Sequence, residues 1–120
     1  MRLIGGLLVL LGLHLLSLAW AQEAEEFFAR CQRLYQQGAL ESAQATCELA
    51  LTSDPEHRPS LLLLARIHLE RGDLAQVEGY LGRLGDEPEA QLLRARLLLQ
   101  KGQAAEVLRL SLPPGPEANL

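Results

Sequence analysis

Aromatic and β-branched residues are scarce in this sequence of 120 residues. Aromatics make up 4% of the chain, and valine, isoleucine and threonine together number only seven. These residue types favour β-strands, so their scarcity argues against an all-β or an α/β fold. Leucine (30 residues) and alanine (15 residues) dominate instead, and both favour helices. The composition therefore predicts an ordered, all-α chain.

Excess positive charge, catalytic motifs and metal-binding motifs are also missing. The formal net charge is -4, which argues against a nucleic-acid partner. The three histidines form no pair at zinc-ligand spacing, and there is neither a nucleophile elbow nor a glycine-rich phosphate loop. We therefore expect no enzyme, no metal and no cofactor, and we interpret His57 and His68 as histidines satisfied in the core or at its rim.

The first 21 residues have the layout of a secretory signal peptide. Arg2 provides a positive start, residues 3–18 carry no charge, and residues 19–21 offer small side chains at the positions that a signal peptidase reads. Cleavage is predicted between Ala21 and Gln22. The apolar run is short for a membrane span, which needs about 20 residues.

Export to the periplasm or the cell surface, most simply of a bacterium, is the expectation that follows from this layout. The alternative is that residues 3–21 are retained and anchor the protein in the inner membrane. In either case, contact with a membrane is expected only through this segment or through a membrane-bound partner.

The remainder of the chain repeats. Gly38, Gly72 and Gly102 are spaced 34 and 30 residues apart, and each has a small residue seven positions before it. Those small residues are Cys31, Ala65 and Ala95. A period of this length is typical of a helical solenoid, in which each repeat is a pair of helices.

Helical periodicity places one helix on each side of every repeated glycine. The predicted helices span residues 25–37, 40–52, 60–71, 74–84, 89–101 and 103 to about 112. They divide residues 22–112 into repeats of about 24–57, 58–87 and 88–112. Residues 113–120 are either a proline-rich tail or the start of an incomplete fourth repeat, because residues 116–120 closely resemble residues 88–92.

This alternation resembles the tetratricopeptide repeat family over about residues 24–112. The first repeat fits best, from Cys31 through the sequence LYQQGALESA to Asp54-Pro55. The resemblance implies an all-α fold of about three helix-turn-helix hairpins after the signal peptide. The lysine and asparagine of the family's carboxylate clamp are absent, so binding of chaperone tails is not implied.

The two cysteines flank the first predicted turn symmetrically. Cys31 lies eight residues before Ala39 and Cys47 eight residues after it, each on the apolar side of its helix. In an exported protein this arrangement predicts a disulfide. The alternative is two buried, reduced thiols.

By resemblance to the family, the first helix of each repeat lines a concave groove. Two apolar positions recur there on either side of a position that is arginine in the second and third repeats. The partner expected for such a groove is a peptide or helix with apolar anchors and an acidic side chain, since arginine binds carboxylates with two parallel hydrogen bonds. The predicted groove residues are Phe28, Gln32, Tyr35, Gln36, Leu62, Arg66, Leu69, Glu70, Leu92, Arg96, Leu99 and Gln100.

Two functions fit this pattern. The first is an exported interaction module that acts as a scaffold or assembly factor for an envelope complex. The second is a permanent structural subunit of a larger membrane-associated complex, whose open C-terminal hairpin a neighbouring subunit covers. We expect the partner to be another protein in both cases.

Overall fold

The structure is a computed structural model that describes residues 2–110, with the side chains of residues 2–4 and 17 excepted. Within this range the chain forms six helices and no strand. It divides between His57 and Arg58 into two compact units. The helices are α1 (Arg2–Gln36), α2 (Leu40–Ser53), α3 (Arg58–Arg71), α4 (Leu74–Leu84), α5 (Pro88–Gln100) and α6 (Ala104–Val107).

The predicted all-α fold of helical hairpins is confirmed. Every helix from α2 to α5 begins and ends within two residues of its predicted bounds. Two helices differ in length. The predicted helix over residues 25–37 is the last part of the 35-residue α1, which continues without a break through the predicted cleavage site. At the other end, α6 stops at Val107, whereas the prediction carried it to about residue 112.

The three repeated glycines end their helices in the same way. Gly38, Gly72 and Gly102 have φ angles of 79°, 82° and 75°, a left-handed conformation that side chains with a Cβ rarely adopt. In each turn the glycine N–H donates to the carbonyl three residues back, and the next N–H donates to the carbonyl five residues back. This pair of bonds satisfies two carbonyls that the helix end would otherwise leave open. The recurrent glycine is therefore explained by the turn it makes.

The first unit is a hairpin of α1 and α2 whose two helices are joined by a disulfide. Cys31 and Cys47 are both fully buried and are joined by a disulfide, with their Cα atoms 5.4 Å apart. Ala43 and Ala50 on α2 are also fully buried, so small side chains line the contact between the helices. Small residues let two helices approach closely, and the disulfide stabilises this pair by about 3 kcal/mol on the chain-entropy model.

The second unit contains α3 to α6, and its apolar core comes mainly from α3, α4 and α5. Leu64, Ile67, Val77, Leu81 and Leu84 are each at most 2% exposed. On α5, Leu93 and Leu97 are also buried. These leucines and their neighbours recur at helical spacing, which is why the sequence periodicity located the helices correctly.

Two arginines from neighbouring helices complete the C-terminus of α4. Nη2 of Arg58, at the start of α3, donates to the carbonyl oxygen of Leu84 at 2.6 Å. Arg94 on α5 donates to the carbonyl oxygens of Leu81 and Gly85, each at 2.6 Å. These carbonyls lie at the negative end of the α4 dipole, where cations are favoured. The two guanidinium groups thus join α3 and α5 to the end of α4.

Replacing Gly38 by valine should destabilise the protein, because a β-branched side chain tolerates the φ angle of 79° poorly. We expect a loss of about 1–2 kcal/mol in the free energy of unfolding, measured by chemical denaturation followed by circular dichroism. Gly79→Ala is the matched control: Gly79 lies inside α4 without a positive φ, and an added Cβ would meet nothing within 4 Å. That substitution should stabilise by about 0.5–1 kcal/mol. Equal effects at both glycines would contradict the turn assignment.

Arg94 and Arg96 offer a second matched pair, two residues apart on α5. Arg94→Ala removes both hydrogen bonds to the end of α4 and should cost about 1–3 kcal/mol of unfolding free energy. Arg96 is exposed, so Arg96→Ala should change the stability by no more than about 0.5 kcal/mol. Unfolding curves that coincide for the two variants would show that the carbonyl contacts contribute nothing.

Candidate protein-binding surface

In the first unit, the predicted groove positions of α1 are partly accessible. Gln32 and Gln36 are exposed, whereas Phe28 and Tyr35 are half-buried. The Phe28 ring packs edge-on against the His57 ring, with centroids 5.6 Å apart. Part of the Phe28 ring is therefore covered by His57 within this unit, and the rest of the ring surface is accessible to a partner.

In the second unit, α3 contributes fewer accessible groups than its sequence suggests. Arg66 and Glu70 are exposed and Leu62 is half-buried. Leu69, however, is only 5% exposed and belongs to the core. The predicted role of Leu69 in partner binding is therefore wrong for the folded unit, because its side chain is used in packing.

Helix α5 presents the most open part of the predicted surface. Leu92 is 48% exposed and Leu99 is 57% exposed, although both are large apolar residues. Arg96 lies between them and is exposed, as is Gln100. Spacings of four and three residues place Leu92, Arg96 and Leu99 on one side of the helix. We call these three residues the α5 face.

The two arginines at the repeated position differ from the other basic residues of the second unit. Among the residues that the structure describes, neither Arg66 nor Arg96 has an ion pair or a side-chain hydrogen bond. Both also precede their repeated glycine by six residues, Arg66 on α3 and Arg96 on α5. The basic residues that do contact carboxylates are Arg58, Arg71, Arg94, Lys101 and Arg109.

Both histidines of the repeats, His57 and His68, are buried. They differ in hydrogen bonding, because one buried ring nitrogen of His68 has no partner. His57 is 7% exposed, and its Nε2 donates to Oε1 of Glu25 at 2.7 Å. His68 is 4% exposed, lies 3.3 Å from Oδ2 of Asp73 through Nδ1, and stacks on the Tyr80 ring. Its Nε2 is buried without a hydrogen-bond partner. The expectation that His68 is fully satisfied is therefore wrong at this one atom.

A cavity of about 340 Å³ lies in the second unit between α4 and α5. Its walls are mostly leucine, and a polar edge is formed by Glu78 and Arg94. Lys101, the residue that follows α5, is paired with Glu78 on α4 beside this cavity. The lining residues are Glu78, Leu81, Gly82, Arg94, Leu97, Leu98 and Leu110.

The described residues hold no group of three or more histidine, cysteine or acidic side chains that could bind a metal ion.

The N-terminal part of α1 is apolar and exposed to solvent. Its leucines are 53–67% exposed, and Gly5–Gln36 contains an apolar stretch long enough to cross a membrane. A signal sequence has the same properties, so the observation is compatible with cleavage as well as with retention.

The comparison with known proteins bears on the repeats. A sequence profile described as tetratricopeptide repeat matches residues 34–88, from the end of α1 to the start of α5. No curated protein and no solved structure matches the chain significantly. Tetratricopeptide repeats generally serve as non-enzymatic modules for protein–protein interaction. With the recurrent glycine turns and the helical hairpins, this match supports a tetratricopeptide repeat assignment for residues 34–88.

Proposed function

We propose that the protein is an exported interaction module that binds a peptide or helix of a partner protein through the first helices of its repeats. The observation that carries this proposal is the α5 face, in which an arginine without an ion pair stands between two exposed leucines. In such a role the protein is a scaffold or assembly factor for a complex of the cell envelope. No cofactor is required.

The apolar part of the α5 face supports binding of a partner with apolar anchors. Leu92 and Leu99 are seven residues apart, which is two helical turns or roughly 10 Å along α5. Full burial of a leucine side chain is favourable by about 1.5–3 kcal/mol relative to leaving it exposed. Covering Leu92 and Leu99 would therefore contribute to the free energy of binding. A partner helix with apolar residues two turns apart has the spacing to cover both.

The charged part of this surface supports an acidic partner. Arg66 and Arg96 occupy equivalent positions of α3 and α5, and neither is neutralised within the described part of the chain. A guanidinium group recognises a carboxylate through two parallel hydrogen bonds. The chain as a whole is acidic, so these local cations provide selectivity for acidic side chains placed between apolar anchors.

Export is supported by two features of the first unit. The disulfide between Cys31 and Cys47 is of a kind that persists in oxidising compartments and is rare in the cytosol. The apolar start of α1 accounts for targeting to the membrane, either as a signal cleaved after Ala21 or as a retained anchor. Both forms are compatible with oxidised cysteines on the exported side of the membrane.

The open cavity between α4 and α5 favours a second candidate, a permanent structural subunit whose last hairpin is covered by a neighbour. The two candidates differ in the behaviour of the isolated protein. A folded monomer that binds its partner reversibly supports the interaction module. A chain that aggregates alone and is recovered only in a fixed ratio with one other protein supports the subunit.

Charge reversal at the two repeated arginines tests the binding surface. We expect Arg66→Glu with Arg96→Glu to raise the Kd for a partner captured from the cell envelope by about a hundredfold or more, since losing an interfacial charge pair costs about 2 kcal/mol or more. The unfolding curve should stay unchanged because both side chains are exposed. Arg33→Glu, at an exposed position of α1, is the control for reversing a charge elsewhere on the surface. Unchanged binding by the double variant would exclude this surface.

The oxidation state of the cysteines tests export. Intact protein recovered from the envelope should have a mass lower by two hydrogens than the reduced form and should resist alkylation until a reductant is added. A version without residues 2–21, retained in the cytosol, should carry two alkylatable thiols. If the exported protein also has two free thiols, the disulfide and its support for an oxidising compartment are lost.

A further inference from the structure

We propose that the first unit folds only when Cys31 and Cys47 are oxidised, so that disulfide formation after export creates the α1 part of the candidate binding surface. In this unit the disulfide takes the place of an apolar core. The dependence of folding on oxidation involves no partner, whereas its consequence for binding rests on the proposed function. The α1 part of the surface is Phe28, Gln32, Tyr35 and Gln36.

The buried side chains of the first unit are all small or polar. Within the described side chains of this unit, no leucine, isoleucine, valine or phenylalanine is buried, and each of these is half-buried or exposed. The hydrophobic effect stabilises a fold in proportion to the apolar area that is removed from water, so this set contributes little. The buried residues are Ala24, Cys31, Ala43, Thr46, Cys47, Ala50 and His57.

The second unit shows which side chains the same positions hold when no cysteine is present. Cys31 and Cys47 lie seven residues before and nine residues after the repeated glycine of the first repeat, and the same offsets in the second repeat give Ala65 and Leu81. Both of these residues are buried, and Leu81 belongs to a core rich in leucine. Cys47 therefore occupies the position at which the second unit has a large apolar side chain.

The first unit is also too short to be stable through packing alone. From Ala24, its first buried residue, to His57 it comprises 34 residues, and the leucines of α1 before Ala24 are exposed where their side chains are described. Folded units of fewer than about 40 residues generally need a disulfide, a metal or an oligomeric partner. The disulfide between Cys31 and Cys47 meets this need within the unit itself.

Oxidation has to precede packing, because both cysteines are fully buried in the folded hairpin. In the open chain, the thiolate of one cysteine attacks the disulfide of an oxidising dithiol–disulfide protein, which forms a mixed disulfide and releases one thiol. The thiolate of the other cysteine then displaces the oxidant, which leaves as a dithiol with the two electrons and the two protons. After packing, the same burial shields the bond from reductants, so the change is effectively one-way.

Hydrogen exchange of the full chain in detergent micelles tests the folding dependence without any partner. Wild-type protein is unfolded and refolded with and without a reductant. Reduction should lower the protection of the α2 amides by about a hundredfold, which is about 3 kcal/mol at 1.4 kcal/mol per factor of ten. The amides of α4 are the internal control, because the second unit has no cysteine, and should change by less than about twofold. Protection of α2 that is independent of the reductant, or an equal loss in α4, would overturn the proposal.

A variant without cysteines separates the loss of the bond from other effects of the reductant. Cys31→Ala with Cys47→Ala should have the low α2 protection of the reduced wild type under both conditions. Gln32→Ala with Glu48→Ala, at exposed positions beside the cysteines, is the matched control and should respond to the reductant as the wild type does. If the cysteine-free variant keeps α2 as protected as in the oxidised wild type, the bond is not required and the proposal is wrong.

Photo-crosslinking in cells tests the consequence for binding. A photoreactive residue at Gln32 should crosslink to a protein in the wild type and lose that crosslink in the cysteine-free variant, while a crosslink from Leu99 on the α5 face persists. A crosslink from Gln32 that survives in the cysteine-free variant would overturn the dependence of binding on oxidation. If neither position crosslinks to a protein in the wild type, the proposed function fails, and hydrogen exchange still decides whether folding depends on oxidation.

Discussion

The left-handed turn at each repeated glycine is the constraint on which the fold depends. A helix that ends on a residue with a φ near 80° reverses within three residues, and the next helix then lies antiparallel to it. Once the reversal is fixed, the residues seven before and five after each glycine are brought to the crossing of the two helices. That is why Cys31, Ala65 and Ala95 are small and buried. The disulfide and the leucine cores follow from this placement.

The same turn also determines which side chains stay accessible. The first helix of each hairpin uses one side for packing, and the residues six before each glycine fall on another side. In α3 and α5 these are Arg66 and Arg96, exposed and without ion pairs in the described chain. A surface that keeps two unneutralised guanidinium groups beside exposed leucines is suited to binding a partner with carboxylates and apolar anchors. Nothing in the fold itself requires these residue types there.

Local features of the fold were predictable from the sequence. Helix bounds, the three turns and the pairing of Cys31 with Cys47 depend on short-range signals: apolar spacing of three and four, glycine at helix ends, and symmetry about a turn. These signals act within one hairpin. The comparison with the tetratricopeptide repeat profile supports the same interpretation from an independent direction. For the candidate surface, the sequence located the exposed α5 face but included Leu69, which the fold uses in its core.

Contacts between residues that are distant in the chain could not be predicted from the sequence. The hydrogen bonds of Arg58 and Arg94 to the end of α4 join residues up to 26 positions apart, and an arginine in a pattern carries no sign of such a contact. The unpartnered nitrogen of His68 is equally invisible, because it depends on what surrounds the ring. The predicted length of α6 was wrong because leucines recur up to residue 112, although the helix stops at Val107.

The central claim is that first-helix positions contact a partner protein. Photo-crosslinking in living cells tests it most directly, with a photoreactive residue at Leu99 on the α5 face and, as a control, at the exposed Gln76 on α4. The account predicts a crosslink from position 99 to one protein, mapped to an acidic segment with apolar neighbours, and none to that protein from position 76. Equal crosslinking from both positions, or crosslinks from position 99 to lipid alone, would contradict it.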